Sequence, residues 1–367
     1  MTAAAPRMLL VGPYPPPHGG ISVHVATLHR RLAGAGVRCQ VLDIDGVHPP
    51  ASNGDRPGAS QRLALLARLR SLAGRGWAMH LHTHGHTRNG WLMVLSCGVA
   101  ARRAPGRLLT LHSGLVPDYL ESGAGARSLA RVALQPYGRI VCVSERIREA
   151  VAALGVEPER LEVGAAYLPV APGPVELPEE LAGWLTSHRP LLASTLFFRP
   201  EYGFDVLLEA IDAVRRRHPS VGCLVVGGGA GESEARAAVR ARGLEEHVRL
   251  TGDLPHALCL GLIARAHLFV RPARTDGDAL SVREALHLGV PVVASDAVLR
   301  PPGVVLFPNG DAAALAERVD AVLCMAERAI TDGNGGDRRD SLERLIQTYR
   351  EACDDKESPW APRSWAS

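Results

Sequence analysis

Residues 271–296 read RPARTDGDALSVREALHLGVPVVASD, and the fold prediction rests on their pattern. The apolar run Leu268–Val270 predicts a strand just before this stretch, and a glycine-bearing acidic loop follows it. The spacing of apolar residues over Ser281–Leu288 predicts a helix, and the run Pro291–Ala294 predicts a second strand. A strand, a helix and a strand in this order are typical of a βαβ unit in a parallel sheet.

The same alternation extends along both halves of the chain. In the first half the predicted strands are Met8–Val11, Cys39–Ile44, Met79–Thr83, Leu108–His112, Ile140–Ser144 and Leu161–Val163, and the predicted helices include Ser22–Ala35, Arg62–Leu72 and Glu145–Leu154. In the second half the strands are Leu191–Leu196, Val221–Val226, Val248–Thr251, Leu268–Val270, Pro291–Ala294 and Gly303–Phe307, and the helices are near Asp205–Arg217, Ser233–Arg242, Leu258–Ala266, Ser281–Leu288 and Ala312–Met325. Domains commonly hold about 100–200 residues. The chain has 367 residues, so we predict two doubly wound α/β domains facing across a cleft.

Proline and glycine mark the predicted boundaries. We predict a first domain over 1–168, a proline-rich linker over 169–189, a second domain over 190–350 and a disordered tail over 351–367. Residues 45–60 are rich in turn formers and predict an exposed loop. Open α/β sheets bind ligands at the carboxyl ends of their strands, so we expect the site at those edges.

Composition excludes several classes of protein. Apolar residues make up 46% of the chain, which excludes a wholly disordered protein. No apolar run reaches 18 residues, and the first residues lead directly into a strand-like run, so we expect a cytoplasmic protein without a signal peptide. The seven cysteines are scattered, which argues against a disulfide framework or a cysteine zinc site.

Charge is unevenly distributed along the chain. The net charge is +3, but residues 1–168 carry 19 Arg against 10 Asp and Glu. This excess suggests either an anionic partner or a solvated arginine-rich surface. The stretch Gln61–Arg75 interleaves leucine and arginine, which is compatible with peripheral contact on the inner face of an anionic membrane. The pattern favours the alternative, a helix that faces the core and turns its basic side to solvent.

A glycine pair follows the first predicted strand. Gly19 and Gly20 precede a predicted helix, and Ser22 is expected to cap it. Glycines at a helix N-terminus let the backbone approach an anion and direct free N–H groups at it. The alternative is an ordinary turn between a strand and a helix.

The stretch quoted first holds a second candidate anion site. Arg271 and Arg274 flank the predicted N-terminus of the helix, an arrangement that suits a diphosphate. Asp276 and Glu284 could bracket a sugar and a ribose. Glu284 also stands three residues after Ser281, so the alternative role for it is a capping box with that serine.

Together these motifs resemble the retaining GT-B glycosyltransferases of family 4, the "glycosyl transferases group 1" set. That family carries a Glu-x7-Glu pattern followed by Ala and then Gly-x-Pro-Val-Val-Ala. Here Asp276-x7-Glu284-Ala precedes Gly289–Ala294. The glycine pair and the segments Ile140–Ser144, Leu224–Gly229 and Val248–Gly252 also match in order, so the resemblance covers about residues 8–325. It implies two Rossmann-like domains.

The resemblance also implies roles for individual residues. Glu284 would hydrogen-bond the nucleotide ribose, Asp276 would take the place of the family's first Glu beside the donor sugar, and His112 would lie beside the same sugar. The diphosphate would be held by the backbone of Ala279, Leu280, Ser281, Gly19 and Gly20, and Gly252 is expected in the same donor site.

One segment departs from the family pattern. An Arg and a Lys five residues apart usually neutralise the leaving diphosphate, but these positions hold Phe197 and Tyr202. Arg199 is the nearest replacement, with Arg271 and Arg274 as further cations. Loss of one cation could remove several kcal/mol of leaving-group stabilisation unless another group supplies it.

The histidine-rich run His80-Leu-His82-Thr-His84-Gly-His86 raises the question of a metal site. Alternation places His80, His82 and His84 on one side of a strand, with consecutive pairs too far apart for compact ligation. No acidic or cysteine ligand is nearby in sequence. We therefore predict no metal and no cofactor, and expect this run to line the acceptor pocket.

The resemblance thus implies a retaining, metal-independent glycosyltransferase of the hexosyltransferase type. Its donor would be a nucleotide-diphosphate sugar and its acceptor a glycan or lipid-linked glycan of cell-surface polysaccharide assembly, with no nucleic-acid partner. A small natural product is the competing acceptor. Two other functions stay open: a GT-B sugar-nucleotide epimerase or hydrolase, and a non-catalytic sugar-nucleotide binder.

Overall fold

The computed structural model describes residues 7–44, 59–164, 167–168, 170 and 176–331. The chain divides into two compact units. The first holds Met1–Val170 together with Thr275–Leu280, and the second holds Ala171–Arg274 and Ser281–Ser367. The predicted tail over 351–367 lies outside the described residues, as does most of the predicted loop over 45–60.

The first unit is built on a parallel six-stranded sheet in the order β2-β1-β3-β4-β5-β6. Its strands are β1 (Arg7–Gly12), β2 (Arg38–Asp43), β3 (Ala78–Thr83), β4 (Arg107–Leu111), β5 (Arg139–Cys142) and β6 (Leu161–Val163). Its helices are α1 (Gly20–Gly34), α2 (Ala59–Gly74), α3 (Arg88–Ala100), α4 (Val116–Glu121), α5 (Ala124–Leu134) and α6 (Glu145–Ala152). The register pairs Leu10 with His80 and His82 with Thr110, which brings the carboxyl ends of β1, β3 and β4 to one edge.

The second unit repeats this architecture with the order β12-β11-β10-β7-β8-β9. Its strands are β7 (Leu191–Thr195), β8 (Gly222–Val226), β9 (Val248–Leu250), β10 (Leu268–Arg271), β11 (Val292–Ser295) and β12 (Val304–Phe307). Its helices are α7 (Glu179–Ser187), α8 (Phe204–Val214), α9 (Glu232–Ala241), α10 (His256–Ile263), α11 (Leu280–His287) and α12 (Ala312–Thr331). Leu280, the first residue of α11, is grouped with the first unit.

The predicted α/β class with two parallel sheets is confirmed. Strands of parallel sheets are covered on both faces and therefore read as apolar runs, and β8 and β10 are buried along their whole length. Helix α3 was not predicted, although its apolar run is visible in the sequence. It is apolar around most of its circumference, with Trp91, Val94 and Cys97 fully buried, so it lacks the amphipathic spacing that indicates a helix.

The predicted linker differs from its predicted character, whereas α2 agrees with the prediction of a helix that faces the core. The segment predicted as a linker contains α7, whose Leu181 packs in a cluster with Leu224 and Leu262 of the second unit. In α2, Leu69 and Ala73 are buried in the first core while the arginines lie on the exposed side.

Among the described residues, no helix combines the length and apolar character needed to cross a membrane.

Candidate functional site

The glycine pair of the first unit begins α1. Gly19 is the N-cap residue, and its N–H donates to Oγ of Ser22 at 3.0 Å. Ser22 was predicted to be the cap but lies in the first turn, where its hydroxyl also donates to the Pro17 carbonyl at 2.6 Å. A Cβ added at Gly20 would meet open space. The backbone at this helix N-terminus is therefore approachable from outside, as an anion site requires.

His112 follows β4 at the carboxyl edge of the same sheet. The backbone N–H of His112 donates a hydrogen bond to the Thr83 carbonyl at 3.0 Å, which fixes the backbone of His112. The segment carrying Asp276 lies directly against this loop, because a Cβ added at Gly277 would stand 2.2 Å from the His112 carbonyl oxygen. A Cβ added at Gly114 would stand 1.6 Å from the Asp276 carbonyl oxygen. Asp276 and His112 are thus brought together through two glycine contacts.

Three histidine rings, those of His24, His80 and His82, gather beside His112. Ring nitrogens of His24, His82 and His112 all lie within 4.8 Å of one another. His82 Nδ1 is 3.2 Å from His112 Nε2, and the rings of His80 and His82 are 4.0 Å apart between centroids. His80 Nε2 contacts the Thr110 hydroxyl at 2.8 Å. The strand prediction placed His80 and His82 on one side correctly, but His24 and His112 join them from other elements.

Burial keeps the rings of His80, His82 and His112 uncharged at neutral pH. Desolvation is the main cause that holds the pKa of His82 and His112 well below the ordinary histidine value, and neighbouring histidines lower both further. Burial, with the His24 ring adding to it, lowers the pKa of His80 to about 3. The cluster therefore presents neutral imidazoles with lone pairs that can accept a hydrogen bond or bind a metal.

In the second unit, glycines line the carboxyl edge of the sheet. Gly227 follows β8 with a φ of 135°, and a Cβ there would stand 1.9 Å from the Leu196 carbonyl oxygen. Its N–H donates to the carbonyl of Gly252 at 3.0 Å. Gly252 has a φ of 74°, and a Cβ there would meet open space. At Gly252, therefore, no side chain covers the backbone at this edge of the sheet.

Helix α11 begins at the same edge with Leu280, after Ala279. The capping box between Ser281 and Glu284 is replaced by another contact: Oε1 of Glu284 lies 2.5 Å from Nε2 of His256, at the start of α10. Glu284 is buried with only 7% of its surface exposed. The carboxylate is thus fixed one turn into the helix whose first amides were predicted to bind a diphosphate.

The three candidate cations of the second unit differ in exposure. Arg271 is buried, its guanidinium stacks 5.0 Å from the centroid of the Tyr202 ring, and it donates to the Thr195 carbonyl at 2.7 Å. The Arg199 side chain is 61% exposed and lies 4.0 Å from Glu201. Arg274 is paired with Asp205 at 2.6 Å. Tyr202 stands at the position of the family's lysine, and the guanidinium of Arg271 lies over its ring.

The predicted site residues fall into two groups. The first unit contains Gly19, Gly20, His112, Asp276, Ala279 and Leu280; the second contains Arg199, Gly252, Arg274, Ser281 and Glu284. Sequence reasoning missed the roles of His24, His82 and His256 as neighbours of these residues. His24 lies in the glycine-pair motif, but nothing local in the sequence couples it to residues 58 and 88 positions away.

Comparison with known proteins covers both units. Residues 18–163 match the family described as "Glycosyltransferase Family 4", and residues 189–324 match "Glycosyl transferases group 1". The chain is 28% identical to a 2-deoxystreptamine N-acetyl-D-glucosaminyltransferase of Streptomyces fradiae, with 90% of each chain covered.

A second relative and a solved structure agree with these matches. The chain is 28% identical to a GDP-mannose-dependent alpha-(1-6)-phosphatidylinositol monomannoside mannosyltransferase of Mycolicibacterium smegmatis, over 76% of this chain and 69% of the relative. The structure of Anabaena HepE in complex with UDP and glucose superposes with a TM-score of 0.64 at 15% identity, over 95% of this chain and 99% of that one. With matching families across both units and the two-sheet fold, the chain belongs to the GT-B glycosyltransferases of family 4, group 1.

Proposed function

We propose that this glycosyltransferase moves a sugar from a nucleoside diphosphate sugar to an acceptor hydroxyl, with retention of configuration and without a divalent metal. The observation that carries the proposal is the start of α11. Its first amides belong to Ala279–Ser281, and the Glu284 carboxylate is held by His256 one turn later. Helix N-termini bind phosphate groups, and a fixed carboxylate accepts hydrogen bonds from ribose hydroxyls.

Catalysis then consists of stabilising the leaving diphosphate and positioning the sugar. The amides of α11 and Gly252 hold the diphosphate, and Arg199, Arg271 and Arg274 supply positive charge. Positive charge and backbone dipoles act most strongly where charge develops in the transition state. His112 and Asp276 bind the donor sugar, and the contacts of Gly114 and Gly277 keep these two residues in one arrangement.

For the acceptor we propose a glycan or a lipid-linked glycan used in cell-surface polysaccharide assembly. The name of the Mycolicibacterium relative, which includes a phosphatidylinositol monomannoside, supports a lipid-linked acceptor. The exposed arginines of α2 would suit peripheral contact with an anionic membrane. A small soluble acceptor is the second candidate, because the relative that covers 90% of both chains is named for 2-deoxystreptamine.

The first test is a thermal-shift screen with UDP, GDP and their sugars, with and without EDTA. We expect one nucleotide to stabilise the protein equally in both conditions, and Glu284→Ala to remove the shift. Arg216→Gln is the matched control, because Arg216 is an exposed residue of the same unit that pairs with Asp212 on the helix surface. A shift that EDTA abolishes would contradict metal-independent donor binding.

Product analysis then separates transfer from the other functions. The donor chosen by the screen is incubated with 2-deoxystreptamine or with vesicles that contain phosphatidylinositol mannoside, and the anomeric configuration of any product is read by NMR. Epimerised or hydrolysed donor without an acceptor would indicate an epimerase or hydrolase. Donor binding without turnover on either acceptor would favour the non-catalytic binder.

A further inference from the structure

The histidine cluster of the first unit has the composition and spacing of a metal-binding site. His24 lies in α1, His82 in β3 and His112 just after β4, so three separate elements each supply one ring. In a tetrahedral zinc site with bonds of about 2.0–2.1 Å, two ligand nitrogens stand about 3.4 Å apart. One ring nitrogen from each of His24, His82 and His112 belongs to a set whose members all lie within 4.8 Å of one another, so small ring movements would bring them to this spacing.

A second observation points to a missing partner at the same place. His82 has no exposed surface, and its Nε2 has no hydrogen-bond partner among the residues that the structure describes. A buried polar atom without a partner destabilises the folded state. Such an atom beside two further histidine rings indicates that the cluster does more than fill space in the core.

We propose that His24, His82 and His112 form a binding site for a divalent transition-metal ion of the zinc class. Neutral imidazole is the ligand that zinc, copper and nickel accept readily, whereas magnesium and calcium select oxygen ligands. Three histidines also leave one coordination position for water or another ligand. His80 is not a ligand in this proposal, because its Nε2 is engaged with the Thr110 hydroxyl.

Metal at this site would control the enzyme by occupying His112. This consequence rests on the proposed function, in which His112 binds the donor sugar. A ring nitrogen that coordinates zinc is not available to a sugar hydroxyl, and coordination fixes the ring orientation. Zinc is therefore an inhibitor of transfer in this scheme, while the transfer chemistry itself uses no metal.

The binding test uses the full-length protein purified with a tag that contains no histidine and stripped with EDTA. Titration with Zn²⁺ against a chromophoric chelator should give one ion per chain, and Co²⁺ should produce the visible absorption of a tetrahedral site. We expect His24→Gln and His82→Gln each to weaken zinc binding at least tenfold, since even loss of a residue that only supports a metal ligand costs about 10–100-fold.

Two control variants exclude a general effect of removing histidine. His80→Gln removes a buried ring of the same strand, and His29→Gln removes one from the same helix as His24. Both should keep wild-type zinc affinity. Circular dichroism in EDTA checks that all four variants are folded. Absence of stoichiometric zinc binding, or equal affinity in all variants, would overturn the site.

The inhibition test compares transfer with and without Zn²⁺. Zinc should inhibit the wild type and His80→Gln, but His24→Gln should resist inhibition while it retains transfer, because His24 has no part in the proposed transfer chemistry. Zinc that binds stoichiometrically without inhibiting would overturn the link to His112. Failure of transfer with every acceptor would instead contradict the proposed function, and the zinc titration would then decide on the metal site by itself.

Discussion

In the second unit, Nε2 of His256 lies 2.5 Å from Oε1 of Glu284, although 28 residues separate them in the chain. Both side chains are largely buried, at 14% and 8% exposure. The sequence spacing suggested that Ser281 would hold this carboxylate. In the structure, His256 of the neighbouring helix α10 holds it instead. Glu284 is therefore oriented by the tertiary structure of the second unit.

This relationship predicts how donor binding depends on the pair. Glu284→Ala should raise the KM for the donor about 10–100-fold with a smaller change in kcat, since a hydrogen bond to a charged group contributes about 1.5–3 kcal/mol. His256→Gln should raise KM less, because glutamine retains a donor near the carboxylate. Steady-state kinetics over a range of donor concentrations measures both. Unchanged KM in Glu284→Ala would contradict its assignment to the ribose.

The contact between residues 112–114 and the Asp276 segment predicts a second result. Asp276→Ala should lower kcat, and Gly114→Ala should do so too, because its Cβ would stand 1.6 Å from the Asp276 carbonyl oxygen and must displace the segment. Gly125→Ala is the matched control, since a Cβ there meets open space. Single-turnover measurements isolate the chemical step. Wild-type turnover in Gly114→Ala would show that the position of Asp276 does not matter for transfer.

The exposed position of Arg199 allows the leaving-group cation to be tested without disturbing the fold. Arg199→Gln should lower kcat by about a hundredfold if it stabilises the diphosphate, with at most a small fall in the unfolding temperature. Loss of its exposed contact with Glu201 should cost at most about 1 kcal/mol of stability. If kcat is unaffected, the stacked and buried Arg271 becomes the cation to examine, by Arg271→Lys.

The histidine cluster predicts that acidification weakens the fold. The pKa of His80, His82 and His112 is lowered by burial, so their contribution to stability is complete above the unfolded value of about 6.5 and is lost as pH falls below it. Each can reduce the free energy of unfolding by about 1.4 kcal/mol per pH unit once the unfolded chain is protonated.

Urea denaturation in EDTA at pH 7, 6 and 5 measures this dependence. The wild type should lose stability steadily over this interval, and His80→Gln should show a shallower slope because one proton-binding group is gone. Arg216→Gln, which changes an exposed residue, should keep the wild-type dependence of the unfolding free energy on pH. An equal slope in wild type and His80→Gln would mean that His80 is protonated in the folded state as readily as in the unfolded chain.

The strands were predictable for a local reason. A strand covered on both faces is a short apolar run, and β8 and β10 are buried at every position. The loops that follow the strands were also predictable, because strand ends of a parallel sheet carry the ligand-binding residues. Helix α7 was missed because prolines surround it, and α3 because its apolar residues are not confined to one side.

Contacts between residues of different elements could not be predicted from the spacing of residues along the sequence. The histidines in and after β3 are close in sequence and drew attention as a group, but the structure divides them: His82 joins His24 and His112, and His86 contacts Ser113. Which rings meet depends on the register of β3 against β4 and on where α1 crosses the sheet. Neither can be inferred from residue spacing within one element.

The grouping of Thr275–Leu280 with the first unit has a consequence for building hybrid enzymes. The chain passes from one unit to the other at three points, and a hybrid joined only near Val170 would take this segment from the parent that supplies the second unit. Its Gly277 and the opposing Gly114 would then come from different parents, and any side chain at either position would meet the other parent's backbone. Exchange of the first unit between relatives therefore requires both glycines in the two parents, or a hybrid that transplants residues 275–280 together with the first unit.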